Sequence, residues 1–315
     1  MADRYASIRY LLPKWSGKLG AGLVIVGLIS AFGVIAPFFT ADPRDSGNKG
    51  LLAPSAGHLL GTTKLGYDVF AQLAAGTRGS LYVGLVGGLS AMLLAIVFGI
   101  IAGYFGGWLD EVLMLATNIM LVIPGLPLVM VIAAYVQNAE GLGDFARSST
   151  LVALILGITG WAGSAVVLRA QARSLRTREY VAAARVAGES GLRVIFVEIL
   201  PNLVPLIAAQ LIFGVMAAVL GEAGLSYLGL GPTNSITLGT MLNDAQTGQA
   251  VGSRAWWWFV PPGALIALLG TGLALVNFAI DEIVNPKLRL APQAARLQRK
   301  ATKEGKGVAG GGAFA

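Results

Sequence analysis

Long apolar stretches alternate with short charged ones along this chain, on the scale of membrane crossings rather than of an amphipathic globular fold. Six windows lack charged side chains, at roughly 20–40, 81–105, 112–136, 151–168, 203–221 and 263–280. Each approaches the length of about 20 residues that carries an α-helix across a hydrocarbon core. The expected fold is therefore all-α, a polytopic transmembrane helical bundle of six spans. Within the third window, IPGLPL places Pro124 and Pro127 where a helix must kink or unwind. Such a break needs neighbours for the freed carbonyls, which predicts a place in the packed interior of the bundle.

Composition agrees. The 315 residues are 55% hydrophobic and 12% charged, outside the range of soluble domains. The chain has no cysteine, which excludes thiolate metal sites and a cysteine nucleophile, and its single histidine, His58, excludes a histidine-clustered metal centre. No metal site and no catalytic residue is expected.

Charge placement orients the spans. Of the 23 Lys and Arg, four precede the first window, six lie between Arg169 and Arg193, and seven between Lys287 and Lys306. These segments are alternate connections, so with six spans they share one side, and the positive-inside rule makes it the cytoplasm. Both termini are then cytoplasmic. The net charge of +7 is thus accounted for by orientation, and no nucleic-acid partner is expected. The expected organisation is a cytoplasmic segment 1–19, a retained anchor helix 20–40, an outer loop 41–80, and a five-span domain 81–290 with a cytoplasmic loop 169–202. A glycine-rich, disordered tail 291–315 follows. The turn 106–111 is cytoplasmic in this scheme although it carries Asp110 and Glu111.

The loop TREYVAAARVAGESGLRVIFVEILPN, residues 177–202, is the most distinctive segment. Its arginines, with their neighbours from Arg169 onward, would cost roughly 15–21 kcal/mol at the bilayer centre, so it lies outside the hydrocarbon. Thr177 is expected as an N-cap, Glu179 sits in the first turn, and Gly188 suits the left-handed position that ends a helix. A helix of about ten residues follows, with Tyr180, Ala183, Ala184 and Ala187 on one face and Arg178 and Arg185 away from it. Such a face buries little area in lipid and fits a groove on another protein, although pattern alone leaves an interfacial helix open as well. Ser190 is the candidate cap of a second helix, and Pro201 is expected to begin the fifth span.

This loop resembles the "EAA" loop of the membrane subunits of ATP-binding-cassette importers, which reads Glu-Ala-Ala, three residues, Gly, nine residues, Ile-x-Leu-Pro. Ala183, Ala184, Gly188, Leu200 and Pro201 match at the family's spacing. Ala182 stands in place of the glutamate and Glu198 in place of the first isoleucine. The wording is most similar to the dipeptide and oligopeptide permease branch. Further resemblances to that branch are HLLGTTKLGYDVF (58–70), with Thr63 and Tyr67 in place of its aspartate and arginine, GEAGLSYLGLG (221–231), and NFAIDEIVNPKLR (277–289). Together they run from about Lys18 to Arg289.

The resemblance implies a type I importer permease in a bacterial or archaeal cell membrane, paired with a homologous second permease subunit. It also implies an extracytoplasmic substrate-binding protein and two ATPase subunits that bind ATP and Mg. The coupling surface would comprise Thr177, Glu179, Tyr180, Ala183, Ala184, Arg185, Ala187, Gly188, Leu200 and Pro201. Glu222, Ser226 and Tyr227 are candidates for the path or an outer gate, Glu222 serving equally well as a cap at the membrane edge. No GxxxxGK[ST] occurs in the chain, so ATP hydrolysis is expected in the partners and neither enzyme activity nor a cofactor in this chain. The resemblance implies peptides, dipeptide or oligopeptide, as the substrate class, with oligosaccharides as the alternative. An ion-coupled secondary transporter is the rival class, weakened because no ionisable residue falls within the six windows. His58 is expected to be structural, and Trp256, Trp257 and Trp258 to form an interfacial belt.

Overall fold

The computed structural model describes residues 17–137, 141 and 143–284. The basic N-terminal arm, the C-terminal tail from 291 and the NPKLR close therefore lie outside the described residues. All described regular elements are helical, with one isolated antiparallel bridge between Thr62 and Asp68. In chain order they are α1 (Gly17–Ile35), α2 (Val69–Phe105), α3 (Gly107–Val122), α4 (Gly125–Gln137), α5 (Ser149–Gly160), α6 (Ala162–Arg176), α7 (Glu179–Val186), α8 (Gly191–Tyr227), α9 (Leu238–Thr247) and α10 (Trp256–Val284).

Four helical segments are long and apolar enough to cross a membrane alone, namely Gly17–Phe38, α2, α8 and Trp256–Asp281. The pairs α3–α4 and α5–α6 are bent by 89° and 47°, and each counts as one further span if it crosses as a unit. Several helices outrun their apolar windows. Helix α2 begins at Val69 inside the expected outer loop, α6 continues to Arg176, and α8 starts at Gly191 rather than at Pro201. Charged residues such as Arg78, Arg169 and Glu222 consequently lie inside helices, so the absence of ionisable groups from the spans does not survive at full helix length.

Helix α2 is the central post. Asp68 caps it, accepting from the Ala71 amide at 2.9 Å and pairing with His58 Nδ1 at 2.8 Å, which gives the lone histidine its structural role. Its small residues set two close seams. A methyl group on Gly88 would lie 2.6 Å from Val215 Cγ2 of α8, and one on Gly99 would lie 2.5 Å from the Ala165 carbonyl oxygen of α6. Only glycine allows backbones this near, so the GxxxG pairs Gly84–Gly88 and Gly99–Gly103 of α2 mark real helix contacts. The largest core cluster joins Ile100, Leu168, Ala172, Val181, Ile199 and Leu203, from α2, α6, α7 and α8.

Two expectations fail here. Residues 121–127, which contain the Pro124–Pro127 break, are exposed on this chain instead of packed inside it. The tryptophans do not form a belt. Helix α10 begins at Trp256, so successive indoles point about 100° apart; Trp256 is exposed, Trp257 Nε1 donates to the Thr62 carbonyl at 3.2 Å, and Trp258 is buried.

Candidate functional site

At one end of the bundle, Thr177 closes α6 instead of capping α7. Its hydroxyl donates to the Ser174 carbonyl at 2.9 Å, and extended Arg178 occupies the N-cap position. The reason is the amphipathic character of 162–176, which keeps α6 helical past the fourth apolar window. Helix α7 is therefore eight residues, about 12 Å long. Its C-terminus is a Schellman motif: Gly188 has φ +84°, its amide donates to Arg185 O at 3.0 Å, and the Glu189 amide donates to Ala184 O at 3.1 Å.

Helix α7 has an inner and an outer side. Val181 is fully buried and Ala184 packs beside it against the core, while the Arg185 guanidinium sits 5.0 Å from the centre of the Tyr104 ring. Glu179, Tyr180, Ala182, Ala183, Val186 and Ala187 are exposed, Val186 at 90%. The expected face of Tyr180, Ala183, Ala184 and Ala187 is thus corrected. Ala184 turns inward and Val186 joins the outer side, because Val181, not Tyr180, is the residue drawn into the core.

The chain then re-enters the bundle without a break. Ser190 adopts the extended N-cap conformation but its side chain makes no cap bond. Residues Ile195–Ile199 form one π-helical segment, the Leu200 amide reaches Ile195 O, and Asn202 Nδ2 donates to Glu198 O at 2.6 Å. This widened turn admits Pro201, which lacks an amide hydrogen, into a continuous helix. Leu200 packs against the core and Pro201 is exposed. Nearby, Arg169 of α6 grips Asp110 of α3 with two bonds, Nε to Oδ1 at 2.5 Å and Nη2 to Oδ2 at 2.6 Å.

At the opposite end of α8, Glu222 is fully buried, more than a turn before the helix ends at Tyr227. Ser226 donates to its Oε1 at 2.6 Å, Thr237 to Oε1 at 2.5 Å, and Ser80 to Oε2 at 3.2 Å. Ser80 in turn accepts from the Leu238 amide at 3.0 Å, the first residue of α9. The carboxyl group thus ties α2 and α8 to the N-terminus of α9, where the helix dipole favours negative charge. Thr237 and Thr240 close a reciprocal capping box on the same turn. Ser226 is buried and Tyr227 half-exposed. Sequence reasoning singled out Glu222 and Ser226 but not Ser80 or Thr237, whose partners lie 142 and 15 residues away. Further along α9, Asp244 is exposed, yet the surrounding protein removes enough water to push its carboxyl above the ordinary range. Among the described residues no group of three or more His, Cys, Asp or Glu could hold a metal ion.

Comparison with known proteins adds a family to this geometry. Residues 95–290 match the family described as binding-protein-dependent transport system inner membrane component. The chain is 34% identical over 292 residues to the dipeptide transport system permease protein DppC of Bacillus subtilis, covering 90% of this chain and 88% of that protein. It is 33% identical over 280 residues to the oligopeptide transport system permease protein OppC of the same organism, covering 87% of each. A dipeptide transport system permease protein DppC of Haemophilus influenzae is 30% identical over 279 residues, with 85% of this chain and 90% of that protein covered.

Proposed function

The chain belongs to the binding-protein-dependent transport system inner membrane components, in their dipeptide and oligopeptide permease branch, and from that premise we propose that it is one permease subunit of an ATP-driven peptide importer. In this reading it crosses the bacterial inner membrane six times with both termini in the cytoplasm. A homologous permease completes the path, two ATPase subunits bind ATP and Mg, and an extracytoplasmic binding protein delivers peptide.

The observation that carries the reading is helix α7. It presents a small, exposed surface around Ala183, Val186 and Ala187 while Val181 anchors its other side in the core. A surface of that shape suits a groove on an ATPase subunit, and its anchorage suits transmission of force. A nucleotide-driven partner shifts the permease only by gripping one conformation better than another, so the gripped element must move with the spans. Helix α8 supplies the lever. It runs 37 residues, about 56 Å, from beside α7 to the Glu222 junction with α9. Movement at the ATPase side thereby reaches the face where a binding protein docks.

The test is transport by the reconstituted complex. With its binding protein and ATP but no ion gradient, proteoliposomes are expected to accumulate short peptides. Uptake that requires a gradient and ignores ATP would overturn the reading, and accumulation of oligosaccharides in place of peptides would overturn its substrate class.

A further inference from the structure

Helix α3 leads to the α3–α4 bend on a slender attachment. Of its 16 residues only Thr117 is buried, and Met120 adds a partly buried contact with the core cluster, so little apolar burial holds its direction. The joint to α2 is permissive as well. Gly106 and Gly107 have φ of +68° and +61°, a region glycine enters freely, and no atom lies within 4 Å of a methyl group placed on Gly107. Continuity with α2 therefore does not set the course of α3.

The ion pair between Asp110 and Arg169 does. Arg169 donates through Nε to Oδ1 at 2.5 Å and through Nη2 to Oδ2 at 2.6 Å, and the Asp110 and Arg169 side chains are 14% and 26% exposed. Two parallel bonds between planar groups fix orientation as well as distance, and such shelter spares them much of the screening that weakens open surface pairs. Helix α6, which carries Arg169, is itself firmly seated: Ala165, Leu168 and Ala172 are buried in the largest core cluster. Its last turn rests on the α2–α3 corner, where Arg176 Nη1 donates to the Phe105 carbonyl at 3.3 Å. Helices α7 and α8 meet the same corner. The Arg185 guanidinium stands 5.0 Å from the centre of the Tyr104 ring, and a methyl group on Gly191 would lie 3.2 Å from Phe105 Cε1. Residues 104–110 thus join the loop that carries α7 to the helix that leads to the Pro124 break.

We infer that Asp110 and Arg169 are positioning residues of the transport cycle, their ion pair making α3 move as one body with α6, so that displacement at α7 swings the α3–α4 break. The role in transport rests on the importer reading above, whereas the clamp is a property of this chain alone.

The chain has no cysteine, so spin labels at Ile119→Cys in α3 and Ser174→Cys in α6, both exposed positions, report this geometry without interference. In the assembled transporter in lipid nanodiscs, pulsed EPR is expected to give one narrow distance that stays the same in the nucleotide-free and ATP-vanadate-trapped states. Asp110→Asn or Arg169→Gln should broaden it even without nucleotide. In proteoliposomes with binding protein, either substitution should leave the ATPase subunits bound and hydrolysing while peptide imported per ATP falls about tenfold, the scale of one charge-assisted hydrogen bond. The double substitution should lose no more than either single one, the sign of a shared interaction. A label distance that shifts between nucleotide states with the ion pair intact would overturn the inference, and so would losses that add. The first of these measurements needs neither variant, so it decides even where a variant fails to insert. Substitutions without effect, in a complex that otherwise imports peptide on ATP, sink the clamp and leave the importer reading intact; broadening by Asp110→Asn in a complex that ignores ATP does the reverse.

Discussion

The Thr237 hydroxyl donates to Glu222 Oε1 at 2.5 Å while it accepts from the Thr240 amide at 3.1 Å. One oxygen thus caps α9 and fastens it to α8. Glu222→Ala would leave the Ser80, Ser226 and Thr237 hydroxyls without their acceptor in a buried site, at about 1–3 kcal/mol for each that finds no substitute. The expected result is a lower melting temperature for the solubilised complex and faster amide exchange in 237–247 than elsewhere. Glu222→Gln keeps one acceptor oxygen and should lose less. Unchanged exchange in α9 after Glu222→Ala would remove the junction from the account.

Gly188 offers a test in which size and backbone effects rank asparagine and alanine oppositely. No atom lies within 4 Å of where its Cβ would be, but its φ of +84° strains other residues by about 1–2 kcal/mol. Asparagine tolerates that conformation better than alanine or valine. Uptake should therefore fall in the order Gly188→Asn, Gly188→Ala, Gly188→Val, with membrane insertion unchanged throughout. An order following side-chain volume, with alanine mildest, would place the sensitivity in the docking surface instead of the Schellman turn.

The break at Pro124 needs a cover that this chain does not provide. Residues 121–127 are exposed, and the α3–α4 bend of 89° interrupts the helical ladder; if the pair crosses as one span, as proposed, the break lies at membrane depth. Irregular backbone persists there only against protein or a water-filled path. Leu126→Cys is accordingly expected to cross-link to the partner permease, or to react with a soluble maleimide once that partner is absent. Reaction with neither, as for a lipid-facing position, would contradict a place at the shared path.

The legible and illegible parts of this molecule separate by range. Apolar windows located every long helix because desolvation of a charge is a local cost. The Schellman end of α7 was readable because a single glycine specifies it. Helix limits were not: α2, α6 and α8 run on through charged residues whose partners lie elsewhere. Asp110 illustrates the reason. Expected on the cytoplasmic side, it looks anomalous there, yet it meets Arg169, 59 residues later, in a bidentate pair. Ala184 left the expected face and Val186 joined the outer side for a similar reason, since helical spacing defines faces but only the core cluster decides which face turns inward.

That exchange leads to the sharpest prediction. Val186 is 90% exposed and Val181 fully buried, five residues earlier on the same short helix. An aspartate at 186 meets water in the isolated chain, so its effect on folding should stay within about 0.5 kcal/mol. An aspartate at 181 would place an unpaired charge in the core and prevent accumulation of the protein. If Val186 enters an ATPase groove, burying it contributes about 1.5–3 kcal/mol, or roughly 10- to 100-fold in affinity. Val186→Asp should then abolish co-purification of the ATPase subunits and ATP-dependent uptake while the permease reaches the membrane at normal levels. Val186→Ala should give a partial loss. Full uptake by Val186→Asp would show that the outer side of α7 is not gripped at this residue, and the force would have to enter through another part of the loop.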